Sequence, residues 1–263
     1  MAAQVANKLH FLWMITLSAL LAAFCVKAAP VAASTPSPEP VRFSLAEVDP
    51  WAGVNDNGEP YGLLVKLVEE LAERTGIPMD YHVRPHSRAA LELREGTVDF
   101  APTFRAPHLE EIGEPVAPLV EVRRLVIGLA DRAPIESLDE LAGATVGYLS
   151  GTWYGKTFES HEGLNRMPVK NFSHGLSLLK RERLQAVVAT DIAVSSRHSN
   201  GDADLRVLME LEEGVGMIYQ SHRSQRDDAA RAIQDAMDSM ARDGFLEELF
   251  SDRFELSRDG VSR

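Results

Sequence analysis

Residues 125–154, LVIGLADRAPIESLDELAGATVGYLSGTWY, constrain the fold more than any other stretch. Leu125–Leu129 is an apolar run of strand length, and it leaves one structural unit. A short polar connection follows, then a capped helical turn, Ser137-Leu-Asp-Glu-Leu-Ala-Gly143. A second strand, Thr145–Leu149, opens another unit and ends in Ser150-Gly151-Thr152, with Trp153 and Tyr154 behind it. A small loop of hydroxyl residues around a glycine brings backbone N–H and hydroxyl donors to a small anion.

Upstream, the pattern alternates strand and helix. Val41–Val48 reads as a strand and Asn55–Gly58 as a turn. Gly62–Arg74 reads as an amphipathic helix, with Leu64, Leu67, Val68 and Leu71 at helical spacing and Gly76 as its stop. Met79–Val83 is a second strand, Ser87–Glu95 a helix capped by Ser87, and Val98–Ala101 a third strand. This βαβαβ order predicts a parallel sheet with covering helices. Beyond Leu149 the pattern predicts helices over Thr152–Glu159 and Ser173–Arg183, and strands at Val169–Asn171, Gln185–Ala189, Leu205–Leu208 and Gly216–Gln220. It ends in a long amphipathic helix, Asp227–Arg242, and a shorter one, Phe245–Phe250.

The N-terminus reads as a secretory signal peptide. Lys8 and His10 precede an apolar stretch, Phe11–Val26, and small residues follow at Ala28, Ala29, Ala32 and Ala33. The alternative is an uncleaved anchor, for which the apolar run is slightly short. Cys25 is the sole cysteine and lies within this leader, so a cleaved product has no disulfide. Phe24 stands where a lipoprotein signal needs a small residue. Residues 29–40, rich in Ala, Ser and Pro, read as a linker. The net charge of −12 argues against nucleic acid as a partner, because phosphate binding needs a basic face. Removing residues 1–28 takes away Lys8 and Lys27 and no acid, which leaves about −14.

The order and spacing of several short segments carry a family resemblance. They are Tyr61-Gly62, Gly96-Thr-Val-Asp99, Ser137–Gly143 with Val146-Gly147, Ser150-Gly151-Thr152, and Asp243-Gly244. Together they resemble solute-binding protein family 3, which includes the polar amino-acid receptors of ABC importers. The resemblance implies an α/β, two-lobed periplasmic binding protein of type II. Each lobe would be a mostly parallel sheet with flanking helices, and two crossover strands would join the lobes. It divides the chain into signal peptide 1–28, linker 29–40, lobe 1 at 41–130, lobe 2 at 131–214, a return to lobe 1 at 215–254, and a tail at 255–263. It implies a monomer that binds a small polar solute, an amino acid or related carboxylate, without a cofactor or metal. An ABC permease or a sensor in the inner membrane would be the partner.

The same resemblance suggests site residues. Arg105, beyond the third strand, would clamp a carboxylate through its planar guanidinium. The family's usual arginine lies several residues further on, where this chain reads His108-Leu-Glu-Glu111. Arg105 therefore either replaces it or is a surface residue paired with Glu110 or Glu111. Ser150, Gly151 and Thr152 match the family's second-lobe donors at a helix N-terminus, or they are a plain helix cap. Asp191, or Thr190 by one residue of register, would receive an amino group, or Asp191 would cap the next helix. Trp51 and Tyr61 would supply aromatic walls, Trp153 walls or inter-lobe packing, and Asp49 a ligand contact or a turn cap. Arg88 reads as a solvated helix position, with a cleft-facing one as the alternative, and His82, His86 and His108 could approach one another in lobe 1 but follow no metal spacing. Two further readings remain: a dehydratase-like cleft enzyme using Glu47, Asp49 or Asp191, and a degenerate lobe that serves only as an interaction module.

Overall fold

A computed structural model describes residues 39–198 and 204–251. The signal peptide, Cys25, most of the linker and the 255–263 tail lie outside the described residues. Ten strands and seven α-helices are described. In chain order they are β1 (Val41–Ala46), β2 (Gly53–Val54), β3 (Pro60–Tyr61), α1 (Leu63–Thr75), β4 (Met79–Arg84), α2 (His86–Glu95) and β5 (Phe100–Phe104). Next come β6 (Gly113–Leu129), β7 (Thr145–Leu149), α3 (Lys156–Glu159), β8 (Asn165–Val169), α4 (Phe172–Lys180), β9 (Ala186–Thr190) and α5 (Asp191–His198). Then follow β10 (Leu205–Ser221), α6 (Asp227–Asp243) and α7 (Phe245–Leu249). Two 3₁₀ turns, Pro107–Leu109 and Leu138–Leu141, complete the set.

Eight strands form one sheet in the order β4-β1-β5-β10-β6-β9-β7-β8. Its two ends are parallel triplets, β4-β1-β5 and β9-β7-β8. Between them the long strands β6 and β10 pair antiparallel from Gly113↔Ser221 to Leu129↔Leu205. The two triplets are thus held at opposite ends of one shared ribbon, which is the two-crossover arrangement of the bilobed fold.

Each triplet carries its own apolar layers. On one side of the first, Val41, Phe43 and Leu45 of β1 pack with Leu67, Val68 and Leu71 of α1 and with Ile233, Met237 and Met240 of α6. On the other side, Leu93 of α2 meets Ala101 and Tyr219. In the second triplet the faces alternate along the strands. Leu125, Ile127, Val187 and Ala189 pack with Leu176 and Leu179, whereas Val126, Val146, Ala186 and Val188 pack with Tyr154 and Phe158. Burial on both faces explains why these strands read as unbroken apolar runs.

Several elements differ from the sequence reading. The strand at Leu125–Leu129 starts twelve residues earlier, at Gly113, because β10 pairs with it through Pro115 and Pro118. Leu205–Leu208 and Gly216–Gln220 are parts of one strand, β10, and the charged run between them stays in register apart from bulges. α2 is entered from Pro85 with no side-chain cap, so Ser87 lies inside the helix. Ser137 does cap its turn, and Glu140 completes a reciprocal capping box. No helix among the described residues is long and apolar enough to cross a membrane.

Glu92 ties α2 to the first triplet. It is 6% exposed, and its carboxylate accepts from Ser44 Oγ at 2.7 Å and His82 Nε2 at 2.8 Å. Arg88, the residue read as solvated, also donates to it at 3.3 Å. Burial pushes the Glu92 carboxyl up, but the bonds from His82, Ser44 and Arg88 outweigh it and hold the group below its ordinary value. Stability from a depressed carboxyl is fully present above the unfolded value and is lost as pH falls through the folded one. Glu92→Gln is therefore expected to cost about 1–3 kcal/mol near neutrality and to flatten the acid limb of the stability curve. Urea unfolding from pH 7 down to pH 3 checks this; parallel wild-type and variant curves would contradict it.

Candidate functional site

In each triplet the first strand is central and its two successors flank it: β1 between β4 and β5, β7 between β8 and β9. The chain switches direction there, so the loops beyond the carboxyl ends part and leave a crevice. The two crevices share one cleft. From the first half it is lined by Ala46, Val48, Trp51, Leu64, His86 and Pro102–Phe104. From the second half it is lined by Leu149, Thr152, Tyr154, Val169, Phe172, residues 187–190 and Ala193. Leu119 and Gly216 of the two crossover strands form its back. The cavity volume here is about 70 Å³, well below the roughly 300–1,000 Å³ usual for small-molecule sites.

Aromatic rings set the shape of the cleft. Trp51, 6% exposed, stands edge-on to Phe104 with ring centroids 5.3 Å apart and also packs on Phe250. Tyr154 is buried, and its hydroxyl accepts from the Leu149 N–H at 3.3 Å, which folds the loop after β7 back on itself. Burial drives the Tyr154 hydroxyl up to about 12. The loop then turns at Gly155, whose φ of 100° suits glycine. A Cβ there would overlap the Glu212 carboxylate. Glu212 accepts from Thr157 N at 3.0 Å and Thr157 Oγ1 at 2.7 Å, and so caps α3 from β10.

The sequence-derived candidates separate into two groups. Trp51, Thr152 and Thr190 line the cleft. Arg105, Ser150, Gly151, Asp191, Tyr61 and Asp49 are not among its lining residues. Arg105 is 60% exposed and donates to Glu110 at 3.0 Å, which is the surface pairing. Tyr61 is 44% exposed, and its ring lies over Gly53 in the β2–β3 hairpin. Asp191 is buried; it accepts from Ile192 N at 2.9 Å and from Arg123 Nε at 3.4 Å. The helix expected from Thr152 begins only at Lys156, so Ser150–Thr152 form a loop without helical donors behind it. Trp153 packs against the Leu93–Tyr219 cluster of the other half.

His86, Thr103, Phe104 and Phe172 also line the cleft, and the sequence pattern does not mark them. The sequence reading ended the third strand at Ala101, but β5 continues to Phe104 and its last three residues reach the cleft. Phe172 follows the Asn171 cap of α4 and carries no signal that separates it from a core residue. His86 begins α2 just beyond the carboxyl end of β4, the outer strand of the first triplet. Its Nε2 lies 3.3 Å from Thr152 Oγ1 of the other half. Its Nδ1 is buried without a hydrogen-bond partner, against the backbone of Gly151. Among the described residues no group of three or more His, Cys, Asp or Glu could hold a metal ion.

Burial lowers the His86 imidazole below its ordinary value, and His108 adds to the effect. The unfolded chain therefore takes up the proton first. Stability falls as pH drops below about 6.5 toward the folded value. His86→Gln is expected to shrink the loss of melting temperature between pH 8 and pH 5; an unaltered pH dependence would assign that loss to other groups.

No family model and no curated protein matches the sequence. Solved structures do match the fold. A mutant of ArgBP from T. maritima gives a TM-score of 0.71 at 18% identity, covering 81% of this chain and 94% of that one. A histidine kinase sensor domain with similarity to periplasmic binding proteins gives 0.72 at 14% identity, covering 83% and 97%. An ancestral arginine-binding protein bound to arginine gives 0.69 at 20% identity, covering 83% and 99%. The chain thus has the bilobed α/β fold of periplasmic binding proteins, as the resemblance implied.

Proposed function

We propose that this protein is a bilobed receptor that captures a small solute in the cleft between its halves, without altering it, and delivers it to an uptake system or a sensor. The observation that carries this reading is the cleft itself. It lies at the carboxyl ends of both parallel triplets, and both halves and both crossover strands line it. A solute bound there touches two bodies joined by a β-ribbon, so its binding energy favours their closed arrangement. The similar structures include the substrate-binding protein of an amino acid ABC transporter and the sensor domain, and both fates fit such a receptor. The N-terminal leader supports a periplasmic location for the monomer.

The non-catalytic part of the reading is supported by what lines the cleft. Glu47, Asp49 and Asp191, the acids available for a dehydratase-like reaction, are not among the lining residues. A receptor is stabilised by its ligand through mass action, by about 2.7 kcal/mol at a hundredfold excess over Kd. Thermal-shift screening of a broad solute library is expected to find such a ligand, and chromatography to recover it unchanged. A library without any shift would favour the interaction-module reading, and a converted ligand would favour the enzyme.

A further inference from the structure

We infer that the cleft selects an uncharged solute, with an apolar body and one hydrogen-bonding end, over zwitterions and ions of the same shape. The inference rests on the receptor reading above and narrows its ligand.

The lining contains no Asp, Glu, Lys or Arg. Its polar side chains are the His86 imidazole and the hydroxyls of Thr103, Thr152, Tyr154 and Thr190. Three nearby charged residues are engaged elsewhere. Asp191, next to Thr190, is held by Arg123 and the Ile192 N–H. Arg105, one residue past Phe104, is paired with Glu110. Arg124 donates to the Glu213 carbonyl at 3.0 Å. A zwitterion entering the cleft would exchange water for Trp51, Phe104, Leu119, Phe172 and aliphatic carbons, with no counter-charge at either end. Removing an ion from water without a partner costs several kcal/mol. A cation over an aromatic face regains about 2 kcal/mol when desolvated, and the edge-on contact between Trp51 and Phe104 already engages those two rings. Desolvation therefore wins for either sign of charge.

The hydrogen-bonding end is assigned to the His86–Thr152 pair. Its 3.3 Å separation is long for a hydroxyl–imidazole bond. Thr152 Oγ1 also bonds the Tyr154 hydroxyl, and its remaining lone pair is available to the N–H or O–H of a ligand whose apolar end faces the aromatic walls.

A matched series tests the inference on the intact protein: phenylacetamide, phenylacetate, phenethylamine and phenylalanine, with hexanamide and hexanoate as an aliphatic pair. Titration calorimetry is expected to show each amide binding at least about tenfold more tightly than its charged counterparts. Thr152→Val is expected to weaken amide binding about two- to tenfold while leaving the melting temperature of the free protein near wild type. A charged member that binds as tightly as its amide overturns the inference and leaves the receptor reading standing. So does an amino acid that binds when every amide fails. Amide binding untouched by Thr152→Val overturns the assignment of the polar end. If neither this series nor the broad library binds, the receptor reading falls and takes the inference with it.

Discussion

The antiparallel pairing of β6 with β10 is the constraint on which the rest depends. Each strand runs 17 residues, and each belongs to both halves. The ladder is not uniform. Between Glu210 and Glu213 three residues of β10 span two of β6, so one residue bulges out of register. Such a bulge bends the strand and disrupts the local ladder. Here Arg124 donates to the Glu213 carbonyl, and its guanidinium lies over Gly214, where a Cβ would collide with it. A buried cation, a glycine and a bulge therefore meet in the ribbon that joins the two triplets. Arg123, the next residue, ties the same ribbon to the start of α5 through Asp191.

That ribbon also places the cleft. It sets the carboxyl ends of β1 and β5 opposite those of β7 and β9, and the loops beyond them supply the cleft walls. The loop after β7 is shaped locally by the Tyr154 hydroxyl and by Gly155 against Glu212, and these constraints need no ligand. Four charged residues near the cleft are likewise engaged by the framework: Asp191 and Arg123 by each other, Arg124 by a carbonyl, Arg105 by Glu110. What remains facing the space is rings, aliphatic carbon and a few hydroxyls, with one imidazole between the halves.

Much of this architecture is legible in the residues. Helical spacing in α1 and α6, the glycine stops at Gly76 and Gly96, and the apolar runs of β7 and β9 are local signals, and the structure follows them closely. The long crossover strands are not legible. Pro115 and Pro118 interrupt β6, and charged residues interrupt β10, so each reads as fragments until its partner is known. The site was harder for the same reason. A motif position gives the residue but not the direction of its side chain. Trp51, Thr152 and Thr190 turn toward the cleft. Tyr61 turns onto Gly53, and Arg105 turns out to Glu110. His86 carries no pattern of its own and gains meaning only from Gly151 and Thr152, more than sixty residues away.

In the proposed receptor one solute touches both halves at the strand ends. Hydrogen–deuterium exchange with and without a bound solute tests it most directly. Slower exchange is expected in the segments around 46–51 and 100–104 of the first half, together with 149–155 and 187–193 of the second. Slowing confined to one half, or centred on Arg105 and Glu110, would contradict it.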